Sequence, residues 1–148
     1  MKQVDSDRGT QRRGRHNGLT ANNGNSAVIH VFKNLGAAVM TSEQSSEITI
    51  LVTEEKLDAL VASKFKDAVK KLASEGNSRI LIDMGNTRFV DSAGCGALVA
   101  SLRVLLRNNG DMKIARPSPQ ARTLFELTRL HRVFEIFDDV ESAQSSFL

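Results

Sequence analysis

The chain has 148 residues, 41% hydrophobic and 25% charged, with one cysteine and neither tryptophan nor tyrosine. That is the size and balance of one globular domain, and no apolar run approaches the roughly 20 residues a membrane helix needs. The net charge of +3 is unevenly spread: residues 1–36 hold six basic and two acidic side chains, while the other 112 hold 14 basic and 15 acidic. The folded part therefore presents no excess positive field to a nucleic-acid backbone, and with stacking left to seven phenylalanines, nucleic-acid binding by that part is not expected.

Cys95 alone forms neither an intramolecular disulfide nor a clustered-cysteine zinc site, and Met1 to Asn25 lacks the apolar core of a signal peptide. A reducing cytoplasm is the expected location. Residues 1–26 are rich in Gly, Asn, Arg, Gln and Ser, too polar to offset the entropy of ordering, so disorder is expected there. Such a segment reads either as a basic arm touching RNA, DNA or an acidic partner, or as a solvated tail or overextended reading frame, since Met40 stands just before the first strand pair; the second reading is preferred. Val28 to Phe32 reads as either a short extra strand or a hydrophobic tether. The expected division is a basic leader over 1–36 and one domain over 37–148.

Ala37 to Ser42 and Glu47 to Thr53 read as two strands of a hairpin, with Ile48, Ile50 and Val52 alternating onto one face. Lys56 to Glu75 carries Leu57, Leu60, Val61, Phe65, Val69 and Leu72 at three- and four-residue spacing, and Gly76 follows where a left-handed cap is needed, which predicts an amphipathic helix. Arg79 to Met84 contains the unbroken run Ile80-Leu81-Ile82 expected of a central strand covered on both faces. After a loop at Gly85 to Asp91, Cys95, Leu98, Val99, Leu102, Leu105 and Leu106 predict a second helix, stopped by Asn109 and Gly110. Met112 to Arg116 is the next strand, and Ser118-Pro119 starts a third helix, with Leu124, Leu127 and Leu130 turned inward. Val133 to Phe137 is a short strand, and the Asp138-Asp139 pair caps a final helix. The expected fold class is α/β: a layered fold whose mixed sheet of about five strands opens with a hairpin and carries about four helices.

Enzymatic signatures are missing. There is no phosphate-binding Gly-x-x-x-x-Gly-Lys-Ser/Thr loop, no His-Glu-x-x-His helix and no Gly-x-Ser-x-Gly elbow. Of the three histidines, His16 and His30 lie in the leader and His131 precedes a strand, so neither a metal site nor a serine–histidine pair is expected. The informative stretch is Phe89 to Leu98. Ser92 is placed to be a helix N-cap, and the turn and a half after it is Ala-Gly-Cys-Gly-Ala, where each glycine gives up about 1 kcal/mol relative to alanine. Tight packing accounts for part of this, with Cys95 in phase with Leu98 and Leu102. Gly96 instead aligns with Ala100, Arg103 and Arg107 on the outer face, where bare backbone suits close approach by another molecule.

Leu81-Ile82-Asp83-Met84 followed by Phe89-Val90-Asp91-Ser92-Ala93-Gly94-Cys95-Gly96-Ala97-Leu98 resembles the signature of STAS domains, specifically the bacterial anti-sigma factor antagonists. Leu57-Asp58, Lys113-Ile114-Ala115 before Pro117-Ser118-Pro119, and Phe125-Glu126-Leu127-Thr128 leading to Phe134-Glu135-Ile136-Phe137 extend the likeness over about residues 37 to 147. The resemblance implies a non-enzymatic switch without cofactor or metal. Ser92 would be the phosphoacceptor of an anti-sigma factor that is also a serine kinase, and a serine phosphatase would reverse the reaction. Unphosphorylated, the protein would bind the anti-sigma factor and free a sigma factor. Asp91 would help place Ser92; Ala93, Gly94 and Gly96 would form the docking surface; Glu54, Glu55 and Asp58 would complete it from the neighbouring loop. Two residues depart from the pattern: Glu55 stands where many relatives have glycine, and Cys95 where they have a larger aliphatic residue. The alternatives are a STAS subunit of a stress-signalling complex, an accessory subunit of a lipid-transport ATPase and, least favoured, a serine hydrolase.

Overall fold

The run Ile80-Leu81-Ile82 does occupy the centre of the protein, with all three side chains fully buried. The structure, a computed structural model, describes residues 48–147 in full and the backbone of Leu19–Ala21 and Ala27–Val31. In chain order the elements are β1 (Leu19–Ala21), β2 (Ala27–Val31), β3 (Ile48–Val52), β4 (Lys56–Leu57), α1 (Ala59–Ser74), β5 (Arg79–Asp83), β6 (Phe89–Val90), α2 (Ser92–Arg107), β7 (Asp111–Ala115), α3 (Pro119–Leu127), a 3-10 turn (Leu130–Arg132), β8 (Ile136–Phe137) and α4 (Val140–Ser146). The main sheet has six strands in the order β1-β2-β3-β5-β7-β8, and β4 with β6 forms a separate two-stranded ribbon.

The sheet is mixed and opens with an antiparallel pair, but not the expected one. β1 runs antiparallel to β2, and β2 then pairs in parallel with β3, Ala27 opposite Ile48 and Val31 opposite Val52. β3 has parallel partners on both sides, β2 and β5, so the antiparallel partner expected for it from Ala37 to Ser42, a stretch outside the described residues, is replaced. Both β1 and β2 fall within residues 1–36, the stretch expected to be a leader. Val28 to Val31 is thus strand and not tether. The remaining pairs, β5 with β7 and β7 with β8, are parallel, as alternating strands and helices require.

Two cores result from the two-residue period of the strands. Leu51, Ile80, Ile82, Met112 and Ile114 face α1, α2 and α3, whereas Ile48, Ile50, Leu81 and Ala115 face α4 through Ala143, Val140 and Phe147. Phe65, Val69 and Leu72 anchor α1, each fully buried and each contributing about 1.5 to 3 kcal/mol of transfer free energy. Among the described residues Asp83 and Lys113 are the buried charges: Arg116 clamps Asp83 through two hydrogen bonds of 2.8 and 2.9 Å, and Lys113 is held by Glu135 and Asp111 with its ammonium 4.9 Å from the Phe147 ring centre.

Boundaries differ from expectation where tertiary contacts decide. α1 begins at Ala59 and not Lys56, because Lys56 and Leu57 pair with Phe89 and Val90, residues expected to lie in a loop. Leu60, Leu106 and Leu127, counted on apolar helical faces, are 84%, 55% and 76% exposed: each sits beyond the edge of the stripe its helix buries. The expected strand over Val133 to Phe137 contracts to Ile136–Phe137 behind a 3-10 turn. The helix stops are as expected, with Gly76 at φ +95° after α1.

Candidate functional site

The start of α2 is built jointly with the start of α1. Asp91, in extended conformation, is the N-cap of α2: its Oδ1 accepts from the Gly94 backbone N–H at 2.9 Å. Its Oδ2 accepts from the backbone N–H of Ala59, at 3.3 Å, the first residue of α1. This corrects the assignment of Ser92 as N-cap. Aspartate and serine cap equally well in isolation, and the carboxylate has the second oxygen that the neighbouring helix requires. Ser92 becomes the first residue of α2, exposed, and its hydroxyl makes no hydrogen bond among the described residues.

Asp58 caps α1 through Oδ1, which accepts from the Leu60 N–H at 3.1 Å. The two cap loops are laced together: the N–H groups of Arg88 and Phe89 donate to the Glu55 carbonyl at 2.8 and 3.2 Å, and that of Asp91 to the Leu57 carbonyl at 3.3 Å. Thr87 Oγ1 donates to the Glu54 carbonyl at 2.6 Å and is also hydrogen-bonded to the Thr53 hydroxyl. From α3, Gln120 brackets Val90, donating from Nε2 to its carbonyl and accepting from its N–H through Oε1, each at 3.0 Å. Glu54 and Asp58 are half-buried and Glu55 is exposed, on either side of β4 in the segment whose backbone is bonded to Arg88, Phe89 and Asp91.

The two glycines of the first turns separate in role. Gly94 is buried, and a Cβ there would lie 2.1 Å from the Leu57 carbonyl oxygen. Gly94 is therefore a packing requirement of the contact between α2 and β4, and being buried it offers little to the docking surface expected of it. Gly96 is exposed and a Cβ there would meet nothing within 4 Å, so the local fold has no need of glycine at that position. Ala93 is half-buried beside them. Cys95 is 6% exposed, and burial first, then the Asp91 charge, pushes its thiol above the ordinary value.

Around Ser92 the surface is of mixed charge, with four carboxylates, two cations and one partly exposed ring. Asp91, Glu54, Glu55 and Asp58 lie on the two joined loops with Lys56 and Arg88 as exposed cations, and Phe89 is 43% exposed beside them. Thr87 and Gln120 escaped the sequence reading: each acts through a contact more than two dozen residues away, which no local spacing reveals. His131, in the turn after α3, lies 3.4 Å from the Phe125 carbonyl, far along the chain from these loops. Among the described residues no cluster of His, Cys, Asp or Glu is arranged to hold a metal ion, and no helix is long and apolar enough to cross a membrane.

A mixed, mostly parallel sheet with helices on both faces is the fold in which these paired helix starts are set. Residues 39–143 match the STAS domain family, and the chain belongs to that family. An anti-sigma-B factor antagonist of Staphylococcus aureus is 23% identical over 108 residues, which cover 73% of this chain and 97% of that one. Among solved structures, a Thermotoga maritima protein classed with the anti-sigma factor antagonists superposes with a TM-score of 0.65 at 18% identity, over 93% of this chain and 97% of that one. The Bacillus cell fate determinant SpoIIAA in its phosphorylated form superposes with a TM-score of 0.54 at 16% identity, over 89% of this chain and all of that one.

Proposed function

We propose that this STAS domain is an anti-sigma factor antagonist whose affinity for its partner is set by phosphorylation of Ser92. The observation that carries the reading is the division of labour at the head of α2. Asp91 supplies the capping that the fold needs, which leaves the exposed Ser92 hydroxyl unbonded among the described residues, near the bare backbone of Gly96. A side chain with no structural duty is available for modification without loss of the fold.

The chemistry follows from position. A phosphoserine carries about −1.5 to −2 charges, and at the first residue of a helix the dipole and the free N–H groups tolerate that charge within the domain. Across an interface the outcome reverses. A partner that covers Phe89 and Gly96 has to desolvate the phosphate next to Asp91 and Glu55, against apolar surface and like charge, at a cost of several kcal/mol. Unphosphorylated protein sequesters the anti-sigma factor and frees the sigma factor; the kinase activity of that same anti-sigma factor closes the cycle, and a serine phosphatase reopens it. The domain is a substrate in this scheme and no enzyme, and its setting is the cytoplasm. Co-purification from native cells tests the assignment: an ATP-binding protein with serine kinase activity that modifies Ser92 is the expected partner, and recovery of a transport ATPase or a large STAS scaffold in its place would overturn it.

A further inference from the structure

β8 closes one end of the main sheet, with β7 on its inner side and no strand beyond it among the described residues. The Glu135 and Phe137 carbonyls accept from the N–H groups of Ile114 and Arg116 at 3.1 and 2.9 Å, so by the alternation of a strand backbone the N–H and C=O of Ile136, between them, point outward. Ile136 is half-buried and Val133 is 50% exposed, and with Phe125 and Phe134 they line a groove of about 530 Å³ between β8 and α3. The flanks of this edge carry opposite charge. Arg129, His131 and Arg132 precede it, and Asp138, Asp139 and Glu141 follow it, all of them exposed. Asp138 pairs with Arg122, Asp139 caps α4 and Glu135 is taken up by Lys113, whereas Arg132 and Glu141 form no ion pair among the described residues.

An outward backbone pair on an edge strand is a template for another chain, and natural edges are blocked by charge or by a covering element. Here the charge pattern blocks one orientation only. A second copy running parallel to β8 would set acidic flank on acidic flank and basic on basic, whereas one running antiparallel sets each basic flank beside the acidic flank of the other. We propose that β8 is a self-association edge, at which two copies of this chain pair antiparallel about a two-fold axis at Ile136. In that register each Ile136 donates its N–H to the carbonyl of the other, the double exchange of an antiparallel ladder, and the contact closes on itself as a dimer. The two grooves meet across the axis, which covers the Val133 and Ile136 side chains. Because the strands of the second copy run the opposite way, the two helix heads that carry Ser92 lie at opposite ends of the joined sheet, so the dimer presents two separate surfaces to a partner. The pairing itself does not depend on the switch proposed above.

Sedimentation equilibrium of the full chain tests this. A ladder this short belongs to the small, transient class of interface, so loading concentrations run up to about 1 mM. A monomer–dimer equilibrium is expected, without larger species. Arg132→Glu and Glu141→Lys each set like charges across the axis and weaken dimerisation about fivefold or more when alone. Mixing the two variants restores it, because both contacts between positions 132 and 141 in the heterodimer are then of unlike sign. Amide shifts in isotope-labelled Arg132→Glu, on addition of unlabelled Glu141→Lys, centre on Glu135 to Asp138. Ile136→Pro, which removes the outward N–H and no bond to β7, abolishes the dimer; proline is tolerated at such an edge position. A monomer at every concentration, variants that do not rescue one another, an Ile136→Pro protein that dimerises like the parent, shifts centred on Leu19 to Ala21 at the other sheet edge, or growth into chains longer than a dimer would each overturn the proposal.

Discussion

Asp91 reaches across two helices: the carboxylate that caps α2 also accepts the backbone N–H of Ala59, 3.3 Å away at the head of α1. The loop presenting Ser92 and the loop carrying Glu54, Glu55 and Asp58 are thereby one rigid unit. Replacing Asp91 by alanine leaves two helix-start amides without their acceptor, at about 1 to 2 kcal/mol, and lowers the melting temperature by roughly 3 to 8 °C. Ser92→Ala, which removes no cap, stays within about 0.5 kcal/mol of the parent. Thermal melts of the two variants side by side check the assignment of the cap; equal losses would return that role to Ser92.

Gly94 and Gly96 respond in opposite directions to alanine. At Gly94 the new methyl collides with the Leu57 carbonyl, 2.1 Å away, and α2 is pushed off β4 at about 1 to 3 kcal/mol. At Gly96 there is open space, so alanine gains up to about 1 kcal/mol of helix propensity. Denaturant melts check the pair, and partner binding by Gly96→Ala shows whether the bare backbone serves docking: stability rises while affinity falls.

Much of this arrangement is legible in the sequence, and the failures share a cause. The run Ile80-Leu81-Ile82 marks the central strand because only burial on both faces tolerates it, and Ser118-Pro119 and Asp139 mark helix starts through purely local chemistry. Cys95 inside and Gly96 outside follow from helical phase alone. What spacing does not carry is the width of an apolar stripe, so Leu60 and Leu127 are misplaced, or the partner of a strand, so β3 receives the wrong neighbour. The two-residue strands β4 and β6 are too short for any period. The choice between Asp91 and Ser92 as cap rests on an amide 32 residues away.

The thiol of Cys95 titrates above its ordinary value because of burial and the Asp91 charge. The folded protein therefore holds this proton more tightly than the unfolded chain does, so the associated stability is fully present below the unfolded value of about 8.5 and is lost as pH rises through the folded value. Denaturant melts between about pH 8 and 11 should show a declining stability whose slope flattens in Cys95→Ala. Labelling by a disulfide reagent at pH 8 should be slow in the native protein and fast in denaturant; rapid native labelling would contradict the inward phase of Cys95.

Deleting residues 1–31 removes β2 from the edge of β3, unpairing a five-residue register that ends at Val31 opposite Val52. The exposed edge lowers the melting temperature by at least about 4 °C and promotes self-association. Light scattering and thermal melts of the truncated chain check this. An unchanged melt would instead support the expected division, with residues 1–36 as a leader outside the domain.

The central claim is that phosphate on Ser92 breaks one protein interface and spares the fold. Calorimetric titration of the cognate anti-sigma kinase with the unmodified and the phosphorylated protein measures it most directly. Ser92→Ala should bind like the unmodified form and resist phosphorylation, and Ser92→Asp should fold normally yet bind poorly, its single charge falling short of the phosphate's. A loss of affinity of about a hundredfold or more on phosphorylation, equivalent to about 2.8 kcal/mol, with unchanged melting of the domain is the predicted result. Equal affinity of the two forms, or phosphate found on another residue alone, would contradict the account.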